Sequence, residues 1–287
     1  MRLPLVFIAT VSAADVITYT GGRDAWSWTM NVPTTIPIHN SCNASESNLI
    51  QKGFSDVRTL AQVAIDHIHA HGTNSSLVRR LFGSGNLAEA VGWYQGILYA
   101  NKAGTLFRCD DIDGNCKQPE WYGHWRGSNA TLETVICPLT YTGRKPLEHV
   151  CMGSDALRNV SASAFTGTDF LHRMFHLPKL NGNDLVSHFA DSYDDCVTLA
   201  QTKPEEAVRN THTLQWFSVE AFAFELVVPG VGCSGFQDSI SLTDASNVTA
   251  QAAAAASGKP NNGCTAHEDH WHCPAGVTEP TSPPGKT

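Results

Sequence analysis

The sequence predicts a mostly helical α+β domain with a small sheet, braced by disulfides and followed by a flexible tail rich in His and Cys. Three observations predict it. Apolar residues recur at helical spacing in several separate windows. Runs rich in β-branched residues are short and lie in the middle of the chain. Nine cysteines occur in 287 residues, behind an N-terminus that reads as a secretory leader, so they are expected to form a disulfide framework.

The elements follow in order. Residues 1–14 carry one Arg, a short apolar run and then Ser12, Ala13 and Ala14, the pattern of a signal peptide cleaved near Ala13 or Ala14. Residues 15–40 read as extended or irregular. A helix is expected from Ser55 or Asp56 to His71, because Val57, Leu60, Ala61, Ala64, Ile65 and Ile68 share one face and Gly72 follows. Leu87–Ala100 is a second helix. Residues 104–128 carry Gly, Asp, Pro and two cysteines, which reads as a loop pinned by a Cys109–Cys116 bridge, and Ala130–Tyr141 includes a strand. Thr168 or Asp169 caps a further helix that Pro178 stops. Asp184–Ala200 and residues 211–227 read as two more helices, and the Gly/Pro/Cys stretch from Pro229 to Gly235 closes a domain spanning 15–236. Residues 237–262 read as an Ala/Ser-rich linker, and 263–287 as a His-rich segment with a disordered end.

Composition narrows the function. The formal charge is −8 with no basic block, which argues against nucleic acid or an anionic membrane as partner. No stretch after the leader approaches the ~18 apolar residues of a membrane span. Sequons begin at Asn43, Asn74, Asn129, Asn159 and Asn247, each a surface glycan position in a eukaryotic secretory pathway. With nine cysteines, one thiol is left unbridged, intermolecular or a ligand.

The chemistry is carried by histidine. His172-Arg173-Met174-Phe175-His176 places two imidazoles four residues apart, on one helical face, as zinc enzymes do. In those enzymes a glutamate beside the first histidine activates the bound water. Arg173 stands there, and a guanidinium cannot accept a proton. The spacing points to metal; the substitution points away from ordinary metalloprotease chemistry. Further ligands are sought in the next segment, where a helix would put His188, Asp191 and Asp195 on one face. A second cluster, His267, His270 and His272, lies between Cys264 and Cys273, and clustered imidazoles bind zinc even without a fold. Three weaker features remain. His67, His69 and His71 close a helix, where surface imidazoles suit the dipole. Asp111-Ile-Asp113-Gly114 imitates part of a calcium loop, with Cys109 in the first ligand position. Trp121–Gly127 either lines a groove or packs against the core.

Taken together, these blocks resemble the fungal pH-regulated antigen or zincophore family, which includes a major mould allergen and is distantly similar to the deuterolysin (aspzincin) metallopeptidases. The carrying stretches are Leu106-Phe-Arg-Cys-Asp, Asp113-Gly-Asn-Cys116, Gly123-His-Trp-Arg-Gly127 and Glu133-Thr-Val-Ile-Cys137. They continue with Leu171-His-Arg-Met-Phe-His176, His188-Phe-Ala-Asp-Ser-Tyr-Asp194, Pro229-Gly-Val-Gly-Cys233 and the terminal Cys-x-x-His-x-x-x-x-His-Cys. The resemblance implies a deuterolysin-like zincin domain in a secreted or cell-wall-associated zinc scavenger. His172 and His176 match the family's pair. Asp191 matches the aspzincin third ligand, without the surrounding Gly-Thr-x-Asp pattern. His267 and His272 match the terminal motif, to which His270 is an addition. The implied partners are zinc ions, a zinc transporter or cell-surface receptor, and host extracellular proteins. Two other readings stand beside the scavenger. One is an active zinc metalloendopeptidase that draws its base from Glu220, Asp191 or Asp195. The other is a cell-surface adhesin with structural zinc.

Overall fold

The computed structural model describes residues 33–240, together with the backbone of 265–267 and 270–272. In chain order the helices are α1 (Ala44–His71), α2 (Ser76–Phe82), α3 (Leu87–Tyr99), α4 (Thr140–Gly143), α5 (Thr166–Phe175), α6 (Pro178–Asn181), α7 (Tyr193–Thr202), α8 (Pro204–Ala207) and α9 (Thr211–Phe222). A π-helical turn, Ala223–Val227, continues α9. The strands are β1 (Leu106–Arg108), β2 (Gly123–Trp125), β3 (Glu133–Ile136), β4 (Thr265–His267) and β5 (His270–His272). The domain is mostly helical with a small sheet. No described helix is long and apolar enough to cross a membrane.

Helix α1 is the axis, in contact with α3, α5 and α9. It begins eleven residues before Ser55 because Asn43 and Glu46 form a capping box, each side chain bonding the other's backbone N–H. Its buried stripe, from Ile50 through Val57, Leu60, Ala61 and Ala64 to Ile68, extends the predicted face by two turns. Two glycines let α5 come close. A Cβ at Gly53 would meet the Phe170 ring at 2.5 Å, and one at Gly167 would meet Asp56 Cβ at 2.7 Å. This crossing fixes the helix that carries His172 and His176. Phe54, Phe107 and Phe170 then join α1, the sheet and α5, with centroids 4.9 to 5.9 Å apart.

The sheet order is β1-β3-β2, with β1 parallel and β2 antiparallel to β3. Trp121 and His124 are buried, so this segment packs against the core. The disulfides are Cys42–Cys109, Cys116–Cys137 and Cys151–Cys233. The predicted Cys109–Cys116 bridge is therefore corrected. Cys109 fastens the entry to α1, and Cys116 fastens the loop to the end of β3, contacts that no short spacing encodes. Cys196 is the unbridged thiol among the described residues; it is buried, and burial pushes its pKa up to about 12.

Lys102 is almost fully buried, with Nζ 3.3 Å from Ala100 O. Burial, and then the nearby Arg58 charge, bring its pKa down to about 8. A depressed lysine pKa favours folding fully only above the unfolded value near 10.5, and that advantage is lost as pH falls through about 8. At ~1.4 kcal/mol for each pH unit, the charged form costs on the order of 3 kcal/mol at neutral pH. Lys102→Met is expected to stabilise the fold by about 1–3 kcal/mol at pH 7 and by much less at pH 10. Urea unfolding at the two pH values measures it, and equal gains at both would refute the burial argument.

The leader (1–14), residues 241–262 of the linker, the sequon at Asn247 and the pair Cys264 and Cys273 lie outside the described residues. Asn43, Asn74, Asn129 and Asn159 are all exposed.

Candidate metal centre

Helix α5 does not begin on the side chain of Thr168 or Asp169. Its N-cap is Phe165, and Thr168 Oγ1 donates to Phe165 O. Asp169 is claimed by two guanidiniums. Arg173 donates Nε to Asp169 Oδ2 (2.9 Å) and Nη2 to Oδ1 (3.1 Å), and Arg144 donates Nη2 to Oδ1 (2.9 Å). Charge-assisted pairs of this kind outweigh a neutral cap bond. Arg173 also lies against the sheet, since a Cβ at Gly123 would meet its guanidinium at 2.9 Å. The residue in the glutamate position is thus a buried strut between α5 and β2.

His172 and His176 stand on the same face of α5 with their Nε2 atoms 2.9 Å apart. His176 is the C-cap, Leu177 turns away, and Pro178 opens α6 instead of merely ending α5. The segment that follows is not a helix from Asp184. Asn183 and Asp184 have φ of +57° and +70°, left-handed backbone that interrupts a helix. Helix α7 starts only at Tyr193. The single-face arrangement expected for His188, Asp191 and Asp195 therefore gives way to a loop. Ser187 pairs with the chain before α9: its N–H donates to Arg209 O and its carbonyl accepts Thr211 N–H. Asn210 Oδ1 accepts the N–H groups of Phe189 (2.8 Å) and Ala190 (3.1 Å), clamping the loop from a fully buried position.

That clamp sets His188 beside His212 on the first turn of α9 and both beside the His172–His176 pair. Ring centroids are 5.1 Å apart for His172–His212 and 5.2 Å for His172–His188, His176–His188 and His188–His212. Ligand atoms of His172, His176 and His188 lie within 4.8 Å of one another, as do those of His188, Asp191 and His212. Asp191 Oδ1 is 3.3 Å from His188 Nδ1, and the Asp191 side chain is half exposed at 47 %. The donor set is imidazole with one carboxylate, which suits zinc. His172 and His212 are buried and His176 partly so, which leaves the Asp191 side as the open face.

Asp195 does not join the cluster. Its carboxylate accepts Ser192 Oγ at 2.7 Å in the first turn of α7. Glu220 is eight residues along α9 from His212, about 12 Å at 1.5 Å per residue, and is buried against Arg80 Nη2 at 2.7 Å. His212 has no sequence motif. The local sign is a histidine in the first turn of a helix whose other charged residue is Glu220. Beta strands β4 and β5 pair antiparallel with His267 opposite His270 and Thr265 opposite His272. Asp113 is engaged by Arg126 at 2.7 Å and faces His124 at 3.3 Å, so the calcium-like loop is an ion-pair anchor. Cys116 and Cys137, which lie near His124, are bridged to each other.

A family model described as "HRXXH: Putative peptidase family" matches residues 4–236. The Major allergen Asp f 2 of Aspergillus fumigatus is 42 % identical over 210 residues, covering 73 % of this chain and 67 % of the allergen. The pH-regulated antigen PRA1 of Candida albicans is 34 % identical over 241 residues, covering 82 % of this chain and 80 % of the antigen. Among solved structures, a zinc peptidase from Grifola frondosa aligns at a TM-score of 0.44 and 14 % identity, over 62 % of this chain and 97 % of that one.

Proposed function

The chain belongs to the HRXXH family, relatives of which are named as fungal antigens and allergens, and from that premise we propose that it is a secreted, zinc-capturing protein with a peptidase-like site. Zinc is its cargo. His172, His176 and His188 hold the ion, with His212 and Asp191 closing the shell. The observation that carries this reading is the convergence of four imidazoles from α5, the 183–192 loop and α9. Such a set satisfies zinc with little need of solvent.

Hydrolysis also needs a group that accepts a proton from water. Arg173 cannot do so and is locked to Asp169. Glu220 and Asp195 are engaged away from the cluster. Asp191 is the carboxylate at hand, and here it serves as a ligand. Zinc-loaded protein should therefore leave casein uncut from pH 5 to 9; zinc-dependent cleavage would install the endopeptidase reading instead. A ligating imidazole must be neutral, so capture should work best at neutral to alkaline pH, and tight retention at pH 4.5 would contradict it. The cluster His267, His270 and His272, on the β4–β5 pair, supplies a second chelate. A transporter or cell-surface receptor would take up the cargo, and host extracellular proteins would be further partners.

His212→Ala tests the inferred shell where the sequence offered no motif. It is expected to weaken zinc binding at the core site by at least ~10-fold, the scale on which even outer-shell partners act. Calorimetric titration reads the change, and an unaltered affinity would remove His212 from the ligand set.

A further inference from the structure

Two histidines four apart occur a second time, at the end of α1. His67 and His71 share a face of that helix, with ring centroids 4.8 Å apart. The expectation of surface imidazoles fails for His67, whose side chain is 1 % exposed. Facing them is Glu225, held on the π-helical turn, where Val228 N–H reaches back five residues to Ala223 O at 2.9 Å. Such turns insert one residue into a helix and re-aim what it carries. Here a single carboxylate oxygen, Glu225 Oε1, sits 2.6 Å from His67 Nδ1 and 3.1 Å from His71 Nε2.

The surroundings suit a cation. The far nitrogen of His67, Nε2, is 2.8 Å from Ser75 Oγ, which also accepts Val78 N–H. A metal-ligating histidine is commonly fixed in this way through its other ring nitrogen. The rings of Phe217 and Phe224 wall the buried side, with centroids 5.7 and 5.6 Å from His67. The mouth is open through His71 and Glu225, whose side chains are 25 % and 31 % exposed. The site also lies in the last turn of α1, where the helix dipole favours positive charge. We propose that His67, His71 and Glu225 form a further divalent-cation site, distinct from both the core site and the His267, His270 and His272 cluster, and selective for a borderline transition ion such as Zn²⁺. Two imidazoles with one carboxylate favour such an ion over Ca²⁺ or Mg²⁺, which prefer oxygen. The site is separate from the first. Glu225 lies thirteen residues beyond His212, about 20 Å along the α9 axis.

The test counts zinc. The full secreted chain, and its single variants His71→Ala and Glu225→Gln, are equilibrated with Zn²⁺ by dialysis and bound metal is measured. Each variant is expected to hold one zinc equivalent fewer than wild type, with the circular dichroism unchanged. A His172→Ala/His176→Ala chain should still lose an equivalent when Glu225→Gln is added, so failure of the first site would not conceal this one. Unchanged counts in both single variants would overturn the proposal. They would leave His67 Nδ1 and His71 Nε2 as hydrogen-bond donors to Glu225 in a metal-free tie between α1 and the π-turn.

Discussion

Asp169→Ala is expected to destabilise the domain by about 3–5 kcal/mol, the cost of removing one partner from a buried ion pair. The reason lies in the position of Asp169. Its carboxylate, 1 % exposed at the residue level, meets both Arg173, which is buried against β2, and Arg144, whose side chain is largely covered where it follows α4. Without it two guanidiniums remain in a low-dielectric setting with their carboxylate gone. Arg144 keeps its contact with the Tyr122 ring, 3.6 Å below the guanidinium carbon, and that contact is worth roughly 1–2 kcal/mol at most. For a domain of this size the loss corresponds to a melting temperature lower by about 10 °C. Differential scanning calorimetry of wild type and variant reads it directly. A change under about 1 kcal/mol would mean that Arg173 is not the strut described here, and that its place in the motif needs another explanation.

The same ion pair explains why the motif can keep its histidine spacing without its glutamate. Arg173 points along α5 toward Asp169, four residues back, and rests on the backbone of β2. His172 and His176 point toward the loop and α9. The histidine pair and the structural brace occupy different faces of one ten-residue helix.

What was legible in the sequence was local. The His172–His176 pair, the core-facing stripe of α1 after Ser55, α3 and the short strand in 130–141 all rest on spacing within one element, and spacing is read directly. What was not legible depends on contacts between distant segments. The loop that carries His188 looked helical because its polar residues recur at helical intervals. Its N–H groups at Phe189 and Ala190 instead go to Asn210, some twenty residues on. The same pairing brings in His212, which no local pattern marks. Cys42 and Cys109 are 67 residues apart, so no short-range rule could prefer that bridge to the nearby Cys116. The early start of α1 was missed for a different reason. Gly53 and the polar stretch Ser45–Ser47 weaken the helical signal, and the capping box of Asn43 with Glu46 restores it.

The second large effect belongs to His172 and His176. They are two of the five proposed ligands, both on a helix fixed by the Gly53 and Gly167 crossings with α1, so replacing both leaves only His188, His212 and Asp191. Zinc affinity at this site should fall by at least ~100-fold, because removing even an outer-shell partner costs about 10–100-fold and here two inferred ligands are lost. The change should leave the disulfides, the sheet and the Asp169 ion pairs untouched. Zinc titration calorimetry on the full chain beside the His172→Ala/His176→Ala variant is the direct measurement. The wild type is expected to bind tightly and the variant to lose one class of site while keeping its helical circular dichroism. Superimposable titrations would contradict it, leaving the pair a packing feature of α5 and assigning zinc capture to other histidines of the chain.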